Sequence, residues 1–210
     1  MDTQRFITFE GGEGAGKTTQ LHHLAEALRA TGEVVTVTRE PGGSPPGEAL
    51  RRLLLDQGED WSPLGEALLH NAARAEHLHQ TITPALARGE WVLCDRFADS
   101  TRAYQGAGLG LEDAALASLE HLVVGPAWPA LTLILDLPPE AGLARAASRG
   151  RAVDRYESRD FAFHARLRAA FLDIARAAPD RCAVIDAAAA PETVAARVRE
   201  AVRTRLDVAI

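Results

Sequence analysis

Lysine is almost absent from this chain of 210 residues, whose 23 basic side chains comprise 22 arginines and a single lysine, Lys17. The 29 acidic residues outnumber the basic ones and give a formal net charge of −6 at pH 7. Proteins that track nucleic-acid phosphates usually present a basic face, so this balance argues against a general nucleic-acid-binding role. A small anion in a local basic pocket is compatible with it. We therefore expect no nucleic-acid partner.

Cysteines and long apolar runs are also scarce. Cys94 and Cys182 are too few for a disulfide framework and fit a reducing compartment. Both lie in apolar runs, which predicts buried, unreactive thiols. No apolar run reaches the ~18 residues that a membrane helix needs, and the first residues, MDTQRFITFEGG, lack the basic-then-apolar design of a signal peptide. We expect a cytoplasmic protein that does not contact a membrane.

Short apolar, β-branched runs alternate with helical stretches, which predicts a parallel sheet covered by helices on both faces. The predicted strands are Phe6–Phe9, Val34–Thr38, Trp91–Cys94, Leu131–Leu137 and Cys182–Ile185. The predicted helices are Thr18–Ala30, Gly47–Leu55, Leu64–Ala87, Thr101–Gln105, Leu111–Val124, Glu140–Ala147, Phe161–Ala177 and Glu192–Leu206. No linker divides the chain, so we expect one α/β domain over residues 1–210 that binds its ligands at the carboxyl ends of the strands.

The segment after the first strand matches the phosphate-binding pattern G-x-x-x-x-G-K-[ST], and it opens a predicted helix, as a P-loop requires. Its glycines would bring backbone N–H groups close to the phosphates, and the helix N-terminus adds a favourable dipole. A glycine-rich turn without a ligand is the alternative, but this composition gives well under about one chance match in a thousand. The residues predicted to bind ATP are Gly11, Gly12, Glu13, Gly14, Ala15, Gly16, Lys17, Thr18 and Thr19.

A magnesium site is predicted beside this loop. The Thr18 hydroxyl is the usual P-loop ligand of Mg²⁺, and Asp95 follows an apolar strand, where the second acidic partner of the ion lies in this class. Strands also end in Asp because this residue starts turns, so Asp95 alone would be a weak signal. Together with the P-loop, Thr18 and Asp95 predict Mg²⁺ as the cofactor.

Arginines at the ends of the second and third strands point to a second substrate that carries a phosphate. Arg39 and Arg96 lie just after these strands, and Arg51 and Arg74 lie on the helices between them. Guanidinium groups bind phosphate through two parallel hydrogen bonds. In a chain so rich in arginine, each could instead be a solvated surface residue.

Five further arginines crowd one polar segment: Arg145, Arg149, Arg151, Arg155 and Arg159. Runs of charge are usually solvated. A mobile lid that closes on a triphosphate would use such cations to exclude water and to stabilise charge in the transition state. We expect a lid at about residues 149–159, in which one or two arginines contact the nucleotide.

Four sequence blocks run in order along nearly the whole chain. They are Phe6-Ile-Thr-Phe-Glu10-Gly-Gly-Glu13-Gly-Ala-Gly-Lys-Thr-Thr19, Thr38-Arg-Glu-Pro-Gly-Gly43, Cys94-Asp-Arg-Phe-Ala-Asp-Ser-Thr-Arg-Ala-Tyr-Gln-Gly106 and Asp154-Arg-Tyr-Glu157. Together they resemble the bacterial thymidylate kinase family, to which the second and third blocks are specific. The resemblance implies a P-loop NTPase fold of three layers and a homodimer packed through helices. It also implies transfer of the ATP γ-phosphoryl group to dTMP, giving dTDP and ADP with Mg²⁺, in dTTP synthesis.

The resemblance also implies roles for single residues. Glu13 stands near the sugar 3′-hydroxyl, and Tyr104 packs against the deoxyribose. Arg39 and Arg96 stand around the dTMP phosphate, and Arg51 is a further arginine of the acceptor site. The residues around thymine are His70, Arg74, Thr101 and Gln105, and Ser100 completes the substrate-binding set. Because Ala15 rather than Arg stands in the P-loop, the chain looks like the group whose catalytic arginine comes from the lid. The implied catalytic residues are Lys17, Arg96 and Arg155.

One departure from the family pattern concerns the base pocket. The residue that stacks on thymine is usually Phe, whereas this chain has His70, which adds a polar edge and a titratable group. A shifted register of this helix is the alternative explanation.

Three other functions were weighed against this one. Another nucleoside-monophosphate or deoxynucleoside kinase on the same fold would differ in the base pocket. A nucleotide-dependent switch would need an Asn-Lys-x-Asp run, which a chain with one lysine lacks. A catalytically dead nucleotide-binding subunit is disfavoured by the intact Lys17, Thr18 and Asp95.

Overall fold

The five predicted strands form one parallel sheet in the computed structural model of the chain, which describes residues 2–56, 60–148 and 155–210. The strands are β1 (Phe6–Glu10), β2 (Val35–Arg39), β3 (Trp91–Asp95), β4 (Leu131–Asp136) and β5 (Cys182–Asp186). They lie in the order β2-β3-β1-β4-β5, and each neighbouring pair is parallel. The predicted sheet is therefore confirmed.

Helices connect these strands. They are α1 (Lys17–Ala30), α2 (Pro45–Leu55), α3 (Pro63–His77), α4 (Thr83–Ala87), α5 (Ala98–Thr101), α6 (Asp113–Val123), α7 (Pro139–Ala147), α8 (Phe161–Ala177) and α9 (Pro191–Leu206). Two π-helical turns interrupt the pattern, at Leu78–Ile82 and at Arg102–Gly108. The single helix predicted over Leu64–Ala87 is therefore α3, a π-helical turn and α4 in succession. Within the described ranges, no helix is both long and apolar enough to span a membrane.

The two faces of the sheet bury different side chains, because successive residues of a strand point to opposite faces. Ile7 and Phe9 of β1 belong to a core that also contains the apolar residues of α1 and α9. Phe6 packs with the π-helical turn that follows α3, and Ile134 of β4 packs with α8. Helices thus cover both faces, as the three-layer prediction requires.

Serine caps fix where α2 and α3 begin. Ser44 Oγ accepts a hydrogen bond from the Gly47 amide at 3.2 Å, and Ser62 Oγ accepts one from the Gly65 amide at 3.1 Å. Prolines follow both caps and suit the first helical turn, since their missing N–H would have no helical partner. Helix α2 consequently begins at Pro45, earlier than predicted. It packs against α3 beside the carboxyl edge of the sheet.

Candidate active site

A cavity of about 570 Å³ opens at the carboxyl edge of the sheet. Small-molecule sites have volumes of this order. The predicted substrate-binding residues that line it are Glu13, Arg39, Arg51, His70, Arg74, Arg96, Ser100, Thr101, Tyr104 and Gln105. The predicted ATP and metal residues that line it include Gly14, Gly16, Lys17, Thr18, Thr19 and Asp95. The cavity therefore brings the two predicted groups of residues together.

The P-loop connects β1 to α1 through backbone conformations that favour glycine. Gly11 has a φ of +133° and Gly14 a φ of +67°. A Cβ atom at Gly11 would lie 2.5 Å from the Leu135 carbonyl oxygen, and one at Gly14 would overlap the Gly142 carbonyl. Both positions require glycine because the loop packs closely against β4 and α7.

Lys17 lies inside the P-loop. Its Nζ donates hydrogen bonds to the carbonyl oxygens of Gly11, at 3.0 Å, and Gly12, at 2.8 Å. Burial, and then the charge of Arg96, lower the pKa of Lys17 to about 8. The ammonium group therefore lies where the motif predicts phosphate oxygens, and its buried charge would gain an anionic partner there.

Thr18 and Asp95 meet directly. The Thr18 hydroxyl donates to Asp95 Oδ2 at 2.5 Å. Both groups offer hard oxygen ligands, which Mg²⁺ prefers, and the ion typically takes only one or two protein oxygens beside substrate phosphates and water. The described ranges contain no cluster of three or more His, Cys, Asp or Glu side chains that could hold a metal. The donor set fits a phosphate-bound Mg²⁺ rather than an ion held by protein alone.

Arg96 follows β3 in an unusual backbone conformation, with a φ of +71°. Its amide donates to the Phe9 carbonyl at 2.9 Å. Its guanidinium donates to Gly11 O at 3.1 Å, to Ser100 Oγ at 3.2 Å and to Glu13 Oε1 at 2.9 Å. Left-handed backbone at a residue other than glycine is strained and often marks a functional site. This backbone conformation places the Arg96 guanidinium between Gly11 of the P-loop and Glu13.

Glu13 is the anion that faces this cation. Its Oε1 also accepts a hydrogen bond from the Tyr104 hydroxyl at 2.6 Å. Burial alone would raise its pKa, but the charges of Arg96 and Lys17 lower the pKa of Glu13 to about 2. The Arg96 guanidinium lies over the Tyr104 ring, 4.9 Å from its centroid. Each of the side chains of Tyr104, Arg96 and Glu13 therefore contacts the other two.

Glu10 lies buried beside the cavity residues Arg96 and Ser100, and the sequence analysis gave it no role. This fully buried carboxylate accepts hydrogen bonds from the Phe97 amide at 2.7 Å and from the Ser100 hydroxyl at 2.5 Å. Burial, and then the charge of Asp99, raise the pKa of Glu10 to about 7. Glu10, at the end of β1, thus holds the turn that contains Arg96 through hydrogen bonds to Phe97 and Ser100. Its position at the end of β1, where the ligands of such a sheet bind, is the sequence signal that could have identified it.

The two arginines at the other side of the cavity have different environments. Arg39 has a half-exposed side chain, and its NH2 lies 3.1 Å from Glu48 Oε1. Arg51 donates from NH1 to the Pro41 carbonyl at 2.7 Å. Both side chains line the cavity.

Arg74 is held much more rigidly, and its buried partner Glu40 was also missed. Arg74 is 2% exposed, and its Nε donates to Glu40 Oε2 at 2.8 Å. The other carboxylate oxygen of Glu40 lies 3.0 Å from His77 Nδ1. Arg74 NH2 donates to Thr101 Oγ1 at 3.0 Å. A buried charge of this kind needs such a partner, which here also fixes the direction of the guanidinium.

The remaining predicted base-pocket residues meet at a polar cluster. His70 Nε2 lies 3.3 Å from the Tyr156 hydroxyl, and Gln105 Nε2 lies 2.6 Å from Glu66 Oε1. Neither Tyr156 nor Glu66 was given a role from the sequence. Glu66 is one of the acidic residues that are common in the first turn of a helix. Tyr156 belongs to the fourth sequence block shared with the thymidylate kinase family, in which only Arg155 was given a role.

The predicted lid, at about 149–159, is described only from Arg155 onward, so Arg149 and Arg151 lie outside the described residues. Arg155 NH2 lies 2.9 Å from Glu66 Oε2, and its NH1 donates to the Leu54 carbonyl at 3.2 Å. The other two arginines of this group contact protein as well: Arg145 donates to Ala187 O, and Arg159 lies over the Phe163 ring. The catalytic role of Arg155 stays a prediction.

Replacing His70 by phenylalanine is expected to weaken the acid sensitivity of folding. Burial, and then the charges of Arg74 and Arg155, lower the pKa of His70 from 6.5 to about 3. Between these values the unfolded chain binds a proton that the folded chain does not. The contribution of His70 to stability is therefore fully present above pH 6.5 and is lost as the pH falls towards 3.

Urea unfolding of both proteins between about pH 7 and about pH 5 measures this difference. One such group changes the free energy of unfolding by at most about 1.4 kcal/mol per pH unit. The wild-type chain should lose stability more steeply than His70→Phe. Equal slopes would contradict the assignment of this titration to His70.

A family model described as thymidylate kinase matches residues 9–198 of the chain. The chain is 58% identical over 202 residues to a thymidylate kinase of Caulobacter vibrioides, covering 96% of this chain and 97% of the relative. It is 52% identical over 205 residues to a thymidylate kinase of Deinococcus radiodurans, covering 98% and 99% of the two chains. Sequence similarity thus extends over nearly the full length of both proteins.

A solved structure agrees with these sequence matches. The chain is similar to the crystal structure of thymidylate kinase from Ehrlichia chaffeensis, with a TM-score of 0.74 and 38% identity. The likeness covers 93% of this chain and 97% of the other. It therefore extends over nearly the full length of both chains.

Proposed function

The chain belongs to the thymidylate kinase family, and from this membership we propose how its residues transfer the γ-phosphoryl group of ATP to dTMP. The protein is a phosphotransferase whose products are dTDP and ADP. The observation that carries the residue assignments is the shared cavity, whose lining includes Lys17 of the P-loop together with Arg39, Arg74 and Arg96. We treat residues 1–210 as one domain with a lid, since all five strands belong to one sheet.

The P-loop is the proposed site of the ATP phosphates. The residues concerned are Gly11, Gly12, Glu13, Gly14, Ala15, Gly16, Lys17, Thr18 and Thr19. Lys17 would exchange the carbonyl oxygens of Gly11 and Gly12, which it contacts at 3.0 and 2.8 Å, for phosphate oxygens. Its compact charge then follows the oxygens of the transferred group as their charge grows.

The acceptor phosphate is proposed to lie against Arg39, Arg51 and Arg96. Ser100 supports Arg96, since it accepts from the guanidinium at 3.2 Å while it donates to Glu10. Holding the acceptor in line with the γ-phosphoryl group accounts for much of the catalysis, because the transition state is loose. The attacking oxygen is already part of a phosphate anion, so no general base is assigned.

The nucleoside is proposed to fill the inner part of the cavity. Arg74, Thr101 and Gln105 would meet the edge of thymine, and His70 would lie against its face. Tyr104, which is 5% exposed, would pack against the deoxyribose and leave little room for a 2′-hydroxyl. Glu13 would accept a hydrogen bond from the 3′-hydroxyl, a role that suits its low pKa.

Mg²⁺ is proposed as the cofactor, held by Thr18 and Asp95. When bound, the ion would offset the negative charge of the ATP phosphates. Thr18 and Asp95 already adjoin at 2.5 Å, which supports a single oxygen-rich site between them.

Arg155 is proposed as the catalytic arginine. This role requires it to leave Glu66 and Leu54 when both nucleotides are bound. The expected signature of Arg155→Ala is a lower kcat with little change in the KM for dTMP, and an unchanged kcat would contradict the role.

A homodimer packed through helices is also proposed. Helix α3 lies against both α2 and α6, and these helices expose large apolar side chains. The exposed residues are Leu53, Leu64, Leu68 and Leu122. A second copy of the chain would remove them from water. Light scattering should give the mass of two chains, and the mass of one chain would contradict the proposal.

The cytoplasm is the proposed location. Cys94 and Cys182 are both free and buried, as is common in a reducing compartment. Fractionation of cells that express the chain checks this location, which recovery from the periplasm would contradict.

A nucleotide panel tests the proposed activity. We expect the highest kcat/KM with dTMP, lower values with dUMP and dCMP, and none with thymidine, which lacks the phosphate that the arginines would hold. Chelation of Mg²⁺ by EDTA should abolish turnover, and added Mg²⁺ should restore it. Faster turnover of dCMP or thymidine than of dTMP would contradict the base and phosphate assignments.

A further inference from the structure

Glu66 of α3 is a fully buried carboxylate that the proposed mechanism does not use. Its Oε1 accepts hydrogen bonds from the Tyr156 hydroxyl at 2.5 Å and from Gln105 Nε2 at 2.6 Å. Its Oε2 lies 2.9 Å from Arg155 NH2. Glu66 therefore joins the π-helical turn after α5 to the described end of the predicted lid.

An ionised carboxylate has only acceptor atoms, so each group that faces it must be a donor. The Tyr156 hydroxyl, which donates to Oε1, favours the ionised form of Glu66, and so does Arg155 while it lies beside Oε2. The amide of Gln105 must accordingly turn Nε2 towards Glu66, an orientation that its hydrogen bonds assign. Because the two ends of an amide diverge, the carbonyl oxygen Oε1 of Gln105 is directed away from Glu66. Gln105 lines the cavity, so this acceptor is the end left for a base.

The Tyr156 hydroxyl reinforces the same direction of hydrogen bonding. Its proton goes to Glu66, and its oxygen lies 3.4 Å from Gln105 Nε2 and 3.3 Å from His70 Nε2. Both nitrogens therefore face it as donors. The proton of neutral His70 then lies on Nε2, which leaves Nδ1 as an acceptor.

We infer that Glu66 is a positioning residue that fixes the Gln105 amide with its acceptor oxygen towards the base, and so favours a pyrimidine with an N3–H donor. Thymine and uracil carry this donor, whereas N3 of cytosine is an acceptor and would face another acceptor. The inference rests on the proposed function, in which Gln105 meets the base edge. It adds a selectivity that does not depend on the methyl group of thymine.

Glu66→Gln tests this inference, because glutamine offers both a donor and an acceptor and no longer fixes the direction of the Gln105 amide. The measurement is kcat/KM with dTMP, dUMP and dCMP. The ratio of dTMP to dCMP should fall by about tenfold or more, mainly through KM, which corresponds to about 1.4 kcal/mol. The ratio of dTMP to dUMP should stay constant, because both bases carry N3–H.

Two results would overturn the inference while the proposed function stands. One is an unchanged ratio of dTMP to dCMP, and the other is an equal loss with all three nucleotides, which a merely structural role would give. Failure of the wild-type chain to phosphorylate dTMP would instead overturn the proposed function, and the inference with it.

Glu76→Gln is the matched control on the same helix. Glu76 accepts from Gln80 Nε2 at an exposed site, and its replacement should leave all three values unchanged. If Glu66→Gln does not fold, Gln105→Leu takes its place, because it removes the oriented amide itself. A lower ratio of dTMP to dCMP in that variant supports the inference, and an unchanged ratio overturns it.

Discussion

Lys17→Ala is expected to lower kcat/KM by about 10²-fold or more, since it removes the ammonium group of the only lysine from the P-loop, where the ATP phosphates are proposed to bind. In the wild-type chain Nζ lies within 3.0 Å of two P-loop carbonyl oxygens. Steady-state kinetics with ATP and dTMP measure the loss. Calorimetric binding of dTMP should change little, because Lys17 belongs to the donor side of the cavity.

Lys17→Arg is the informative control for this variant. Its charge is the same, but a planar guanidinium is wider than the compact ammonium that contacts the carbonyl oxygens of Gly11 and Gly12. We expect a loss close to that of Lys17→Ala. Near-normal turnover in either variant would contradict the placement of the phosphates in the P-loop.

Arg96→Ala is expected to lower kcat/KM for dTMP by a similar factor of about 10² or more. The guanidinium contacts the P-loop at Gly11 and the acceptor side at Glu13, so its loss affects both halves of the reaction. Without this cation the pKa of Glu13 should rise from about 2, because burial then acts with less opposition. Kinetics with dTMP as the varied substrate measure the effect, and an unchanged value would contradict the role.

Arg96→Gly separates the charge from the backbone. Both variants lack the guanidinium and should be equally inactive. Glycine adopts a φ of +71° without strain, whereas alanine does not, so Arg96→Gly should be the more stable by about 1 kcal/mol. Urea unfolding compares the two, and greater stability of Arg96→Ala would contradict the strain argument.

The strands, their parallel arrangement and the P-loop could be predicted because their signals are local. Apolar runs of about five residues mark buried strands, and the P-loop spacing of Gly11–Thr18 lies within one short segment of the sequence. The π-helical turns at Leu78–Ile82 and Arg102–Gly108 could not be predicted, because helical periodicity continues through them and tertiary packing decides the wider turn.

The buried carboxylates of the site are the main features that sequence reasoning did not find. Glu40 meets Arg74 over a separation of 34 residues, and Glu66 meets Tyr156 over 90. Nothing local distinguishes them from solvated acids. The arginines show the same limit: Arg39, predicted from its place at a strand end, is half exposed, whereas Arg74, on a helix between the strands, is almost fully buried.

Because the chain has a single lysine, the P-loop can be modified chemically at one known side chain. Lys17 carries the only side-chain amine of the chain, and a pKa of about 8 leaves an appreciable free-amine fraction near neutrality. A reagent selective for primary amines therefore has a single side-chain target, which lies inside the nucleotide cavity. The stoichiometry of labelling at that amine would report, by mass spectrometry, how much of the protein has nucleotide bound.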